Sequence, residues 1–373
     1  FTNKKSKIGC ISTWNRRCGI ASYSKNIFIS FTDRITVFSP FEDGAISDDK
    51  FDVIPSWNID PKLQDFSGLV EQIRKENITS IVIQFNYGFY EFKQFSNMIN
   101  DLAKMQINII LFMHSTKDPK DDDTKKLSLI ASSLRLCKRI IVHTISDLNR
   151  LKNFDLVENV CLLPQGIIDF DPKPNLVKAM KKLLPNEIYS VASYGFCLPN
   201  KGFKELIQAI YILNNRGLRV NLNIYSALYS DDYNWYYQEI YNLVTKLNIA
   251  NYVQIHNEYM QDYETLEKLS CYDCLVFPYQ SSNESSSASV RYALSTFKPV
   301  LVTPSNIFND VLDLVNVTRG FSSYDIASSI KSFLRSNSIS ENISKERQIK
   351  IKNRHFSILS RRFYSMIEGI ELS

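Results

Sequence analysis

Short apolar runs alternating with amphipathic stretches constrain this chain more than any other feature. In the first half the runs are Ile8–Ser12, Ile35–Phe38, Ile78–Phe85, Ile107–Met113, Arg139–His143 and Val160–Leu163. Between them lie helix-period stretches. Ile20, Tyr23, Ile27 and Phe31 fall on one helical face, and Phe92–Met105 and Thr124–Leu136 read the same way. Continuous apolar strands joined by amphipathic crossovers predict parallel α/β units. Asp169–Asn175 is a polar, proline-bearing break, followed by a second at Pro185-Asn186. The pattern then restarts, with strands at Ile188–Tyr194, Val220–Tyr225, Tyr252–Ile255, Cys274–Phe277 and Val300–Thr303. Helices are predicted at Phe203–Asn214, Tyr233–Leu247, Tyr263–Leu269, Ala288–Leu294 and Tyr324–Leu334. A last amphipathic stretch, His355–Ile370, comes after the second sheet is complete. At 373 residues the chain exceeds one ordinary core, so two domains are expected, 1–170 and 186–354.

Bulk properties narrow the function classes. No apolar run reaches the roughly 18 residues of a membrane span. No signal peptide is visible, and the start at Phe1 leaves a larger parent chain with other domains open. Seven cysteines without framework spacing fit a reducing, cytoplasmic compartment. Cys271 and Cys274 form a C-x-x-C with no second pair, which favours core packing over zinc or redox work. The net charge of +5 gathers in clusters, including Lys125-Lys126, Lys138-Arg139, Lys181-Lys182 and the tail from Arg347 to Arg362. These read either as solvated faces or as attraction to an anionic membrane surface or a lipid-diphosphate acceptor. Nucleic acid is not an expected partner, because no helix-turn-helix or aromatic RNA-binding signature is present.

Four segments carry chemistry. Asn283 to Leu294 places a carboxylate, Glu284, and small residues at a helix start just beyond a strand's carboxyl end. There an α/β sheet binds ligands and helix N–H groups favour anions. Ser12 to Ser24 is a strand, a loop with Arg16 and Arg17, and then Gly19 at a helix start. Gly195 to Phe203 repeats the plan, with Lys201 placed as a point charge for a diphosphate. An ordinary turn and a solvated lysine are the plain alternatives. His114 and His143 each follow a strand, and Gln84 to Gly88 ends another with amides suited to sugar hydroxyls. A satisfied core histidine is the default for either imidazole alone. Asp121-Asp122-Asp123 reads as a solvated turn or cap rather than a metal clamp.

Together these segments resemble family 4 of the retaining glycosyltransferases, most closely its bacterial mannosyltransferase-like branch. The pattern T-W-N-x-R-C-G-I-A-x-Y-S matches Thr13 to Ser24, Q-x-x-Y-G matches Gln84 to Gly88, and P-x-G-I matches Pro164 to Ile167. G-x-x-x-P-x-K-G matches Gly195 to Gly202, E-S-S-S-x-x-V-R matches Glu284 to Arg291, and K-P-V-x-V-T-P matches Lys298 to Pro304. The order holds over nearly the whole chain.

The resemblance implies the GT-B fold, two Rossmann-like domains facing across a central cleft. The final helix, 355–373, would cross back to the acceptor-side N-terminal domain. The C-terminal domain would bind the nucleotide sugar. The implied donor site is Gly19, Arg17, Lys201, Ser286, Ser287, Ala288, Val290, Arg291 and Tyr292. Catalysis would rest on Glu284 at the sugar hydroxyls, His114 beside the reacting centre and Lys201 on the diphosphate. Apart from the resemblance, Trp14, Asn86 and Tyr87 are the acceptor-side candidates, with core or rim packing the equal alternative for the two rings. The implied reaction needs no cofactor and no metal. It moves a hexose, on the branch's pattern mannose from GDP-mannose, to a surface polysaccharide or lipid-linked glycan at the inner face of the cytoplasmic membrane. Retention without a carboxylate nucleophile implies same-face attack through an oxocarbenium-like state, with the departing phosphate as base.

Two positions depart from the family pattern. Tyr292 stands where a glutamate usually holds the ribose, and Phe196 where an arginine pairs with the lysine. These departures keep a second reading open, a non-catalytic glycan- or nucleotide-binding module. A nucleotide-sugar 2-epimerase is a third, for which the expected acidic residues are not found.

Overall fold

The computed structural model describes residues 7–16, 18–44, 46–171, 188–282, 284–335 and 343–371. Arg17, Asn283 and the break at Pro185-Asn186 lie outside them. Contacts divide the chain into two units. The first comprises the described parts of Phe1–Gly166, Asn283–Ser286 and Phe356–Ser373, and the second those of Ile167–Ser282 and Ser287–His355.

The first unit holds seven strands: β1 Ile8–Ile11, β2 Ile35–Pro40, β3 Phe51–Trp57, β4 Ser80–Phe85, β5 Asn108–Met113, β6 Arg139–Val142 and β7 Val160–Leu162. They pair in parallel in the order β3-β2-β1-β4-β5-β6-β7. The central strands β1, β2, β4 and β5 are buried almost throughout, which is why they read as mostly apolar runs. Strand β3 was not anticipated. Its Pro55 argues against a central strand, but β3 lies at the sheet edge, where a missing N–H costs little.

The span Thr124–Leu136 is not one helix. It forms two short 3-10 turns, Asp123–Lys125 and Leu127–Leu129, and a single turn Ala131–Leu134. Local ties explain the break. The Asp122 carboxylate accepts from the Thr124 N–H, the Asp118 carboxylate accepts from the Leu127 N–H, and the Lys125 ammonium donates to the Tyr90 carbonyl.

The helix Phe356–Glu371 completes the first unit's packing. Phe363 meets Phe28, Phe31 and Phe112 with ring centres 5.0–6.0 Å apart. The Ser30 N–H donates to Ser360 Oγ at 2.9 Å. A Cβ added at Gly166 would lie 2.4 Å from the Phe356 ring, so only glycine admits that ring.

The second unit carries β8 Tyr189–Tyr194, β9 Val220–Tyr225, β10 Val253–His256, β11 Cys274–Phe277, β12 Val300–Val302 and β13 Asn316–Val317. The parallel order is β10-β9-β8-β11-β12-β13. Successive residues serve opposite faces. Cys274 and Val276 pack with Leu222 and Ile224 on one side, while Leu275 and Phe277 pack with Val300 and Val302 on the other. Both thiols of the C-x-x-C are buried and free. No helix among the described residues is long and apolar enough to cross a membrane.

Candidate functional site

In each unit the strand order reverses once, between β1 and β4 in the first and between β8 and β11 in the second. At such a reversal the connections leave in opposite directions and open a crevice at the strands' carboxyl ends. Several residues singled out in the sequence lie on the loops that follow these strands.

In the second unit, β8 ends at Tyr194 and β11 at Phe277. The loop after β8 turns at Gly195, with φ +145°, and closes at Gly202, with φ +74°. A Cβ at Gly202 would fall 1.9 Å from the Pro278 carbonyl oxygen, so the loop lies directly against the segment that follows β11. The Gln280 N–H donates to the Asn200 carbonyl at 2.9 Å, and Asn200 Nδ2 donates to the Ser281 carbonyl at 3.2 Å, bracing the same approach. Gly202→Ala is therefore expected to lower stability by about 1–3 kcal/mol through strain at positive φ and the carbonyl clash. Urea unfolding checks it, and an unchanged midpoint would mean the loop moves aside freely.

Lys201 lies on this loop. Its side chain is folded over the Tyr279 ring, with Nζ 4.0 Å from the ring centre. The helix Ala288–Ser295 starts nearby in the chain, at its N-cap Ser287. Ser287 Oγ accepts from the Val290 N–H at 3.4 Å and donates to the Tyr279 hydroxyl at 3.2 Å. The Ser287 carbonyl accepts from Arg291 Nη1 at 2.8 Å, and the guanidinium pairs with Asp310. Arg291 thus points inward, and Val290 is a core residue, fully buried. Both side chains turn away from the surface and help hold the helix start. Tyr292 donates from its hydroxyl to Asp262 at 2.7 Å and packs on Tyr194, while Phe196 packs edge-on against Tyr229.

In the first unit, Gly19 opens the helix Gly19–Ile27 after the β1 loop and is exposed. Arg16 pairs with Asp43 at 2.7 Å, and the same carboxylate accepts from the Trp14 N–H at 2.6 Å. Asp43 was not anticipated; only tertiary structure brings it to this loop. Trp14 is 2% exposed and meets Phe51 edge-on. Tyr87 is buried too, donating to Asp118 at 2.8 Å. Both rings are packed in this structure, as the packing alternative for them has it. Asn86 turns back to accept from the Gly88 N–H at 2.9 Å.

His114 and His143 follow β5 and β6 and meet directly. His143 Nδ1 lies 2.9 Å from the Leu163 carbonyl and therefore carries its proton. Its Nε2 then accepts from His114 Nδ1, 3.3 Å away. That leaves His114 Nε2 as an acceptor, 2.7 Å from the side-chain amide of Gln84. The chain closes when the Gln84 NH2 faces His114, an orientation assigned by hydrogen-bond logic. Both His114 nitrogens are engaged. Burial, and then His143, push its pKa well below the usual 6.5. The folded state thus refuses a proton that the unfolded chain takes up, so stability is present above pH 6.5 and lost as pH falls below it. Between pH of about 8 and about 5.5, His114→Gln is expected to lose about 2–4 °C less in unfolding midpoint than the parent. Parallel melting curves would refute it.

The short segment 284–286 belongs by its contacts with the first unit. Glu284 is exposed, Ser285 Oγ donates to Asp147 at 2.8 Å and Ser286 Oγ donates to Gln165 at 2.7 Å. Asp147 is buried and also accepts from Thr116 at 2.6 Å and Thr144 at 2.5 Å. Its place was missed, although T-x-x-D at Thr144–Asp147 is a helix-start signal. Ala288 is half-buried at the first turn of its helix.

No family model and no curated protein matches the sequence. Solved structures do match, over nearly their full length. Anabaena HepE in complex with UDP and glucose superposes with a TM-score of 0.76 at 14% identity, covering 97% of this chain and 99% of that one. Sucrose-phosphate synthase from Thermosynechococcus elongatus gives 0.78 at 13% identity, covering 99% and 100%. A glycosyltransferase from Rickettsia africae gives 0.76 at 12%, covering 98% and 99%. Two parallel sheets in these orders, matched at this level, give the chain the GT-B fold.

Proposed function

We propose that the chain is a retaining, metal-independent glycosyltransferase that moves a hexose from a nucleotide sugar to a glycan or lipid-linked glycan. One observation carries this reading. At the second unit's strand reversal, a lysine loop and a capped helix start are fixed together through Tyr279. A cation tied to a helix start suits a diphosphate that gains negative charge as the sugar leaves. Glu284, exposed beside Ser285 and Ser286, is suited to accept hydrogen bonds from sugar hydroxyls. Similar structures with UDP, or with UDP and glucose, support a uridine donor as readily as GDP-mannose. The basic clusters give membrane attraction little support, because several are ion-paired: Lys126 with Asp123 at 2.7 Å, and Lys350 with Glu346 at 2.9 Å. We retain contact with an anionic inner membrane face only as part of the proposal.

The test is a panel of nucleotide sugars, reading released nucleoside diphosphate with and without glycan acceptors. Release that depends on acceptor establishes transfer. Binding of a nucleoside diphosphate without release would favour the binding-module reading. Tyr292 held by Asp262 and Phe196 packed on Tyr229 would then be its physical basis.

A further inference from the structure

We infer that Tyr279 is a positioning residue that makes the Lys201 loop and the start of the helix Ala288–Ser295 act as one diphosphate-binding unit. The inference rests on the donor-site reading above and deepens it. Tyr279 stands two residues beyond β11, on the crevice side of the strand reversal, and is 1% exposed. Its ring lies under the Lys201 ammonium at 4.0 Å. Its hydroxyl accepts from Ser287 Oγ at 3.2 Å, and Ser287 caps the helix. Its backbone carbonyl accepts from Thr303 Oγ1 at 2.5 Å, which fixes the residue to the end of β12. Phe308 packs against the ring at 5.1 Å. One side chain therefore touches both groups that would face a diphosphate, and it is itself held from behind.

The physics favours this role over filler. A lysine on a flexible stem loses much rotamer freedom when it grips an anion. An aromatic face within about 6 Å of an ammonium attracts it and narrows the positions it takes up before an anion binds. The hydroxyl then sets where the capping serine stands. A plain apolar residue of similar volume would fill the space and do neither.

The experiment is a double-mutant cycle read by UDP, GDP and inorganic pyrophosphate affinity, with circular dichroism and unfolding midpoints as folding controls. Tyr279→Met, which keeps volume without the π face, is expected to weaken binding of the preferred ligand about tenfold. Tyr279→Phe keeps the face and should stay within about threefold. In a Lys201→Met background, Tyr279→Met should add little, because the two act through one contact. Equal losses from Tyr279→Met in both backgrounds would overturn the inference, as would unaltered affinity in a folded Tyr279→Met. Should Tyr279→Met not fold, Tyr279→Leu takes its place in the cycle. Failure of the parent protein to bind any of the three probes would instead bring down the donor-site reading itself, and this inference with it.

Discussion

Lys201→Ala is expected to lower turnover of the nucleotide sugar about 100-fold and to leave the protein folded. The lysine is placed on a loop fixed by Gly202, whose φ of +74° and contact with the Pro278 carbonyl admit no side chain. Removing the ammonium leaves the loop path intact and takes away a charge where the leaving diphosphate becomes more negative. The loss should therefore fall mainly on kcat, with a smaller effect on donor KM. Arginine in its place should not restore the rate fully, because Lys201 is buried and a larger, delocalised guanidinium does not reproduce its compact point charge there. Steady-state kinetics with the donor found in the panel check this. A rate equal to the parent's removes Lys201 from the site.

Glu284→Ala should cost a comparable factor, about 10–150-fold in kcat/KM. Glu284→Gln should lie between the two, since an amide oxygen still accepts from a hydroxyl but without charge. Neither change should unfold the chain, because the side chain is exposed. The adjoining Ser285 and Ser286 bonds to Asp147 and Gln165 keep the segment in place independently of the glutamate. Ser285→Ala is a useful contrast. It loosens the segment without touching the carboxylate, so a fall there would report positioning alone. Full activity in Glu284→Ala would show that the sugar is held elsewhere.

Much of the architecture was legible in advance because buried parallel strands leave a simple trace. Ile78–Phe85 and Ile107–Met113 are mostly apolar, and the strands Ser80–Phe85 and Asn108–Met113 lie inside them. The edge strand β3 mixes Asp52, Pro55 and Ser56 into its run, so periodicity hides it. The helix Lys345–Lys352 buries little beyond Ile351, which leaves no apolar stripe to read. The site was legible as loops but not as side-chain directions. Gly202 and Lys201 could be placed from a strand-turn-helix pattern. That Arg291 turns inward to Asp310, or that Trp14 packs on Phe51, depends on partners 19 and 37 residues away in the chain. Asp43, Asp147 and Tyr279 were missed for the same reason. Their partners lie elsewhere in the chain, Arg16 and Trp14 for Asp43, Thr116 and Ser285 for Asp147, and Lys201 for Tyr279; only Asp147 had a local signal, the T-x-x-D at Thr144.

The packing of Phe356–Glu371 carries a consequence for how this molecule is made. The aromatic wall formed by Phe28, Phe31 and Phe112 waits for Phe363, a residue translated more than 250 positions after the last of them. At ribosomal speeds of about 5–20 residues per second, that wall stays uncovered for roughly 10–50 s after it emerges. Apolar surface left open in this way during synthesis is the kind that favours aggregation. The second unit, whose residues all emerge earlier than Phe356, has no such wait. The residues of the second unit are therefore all made before the first unit has its last helix.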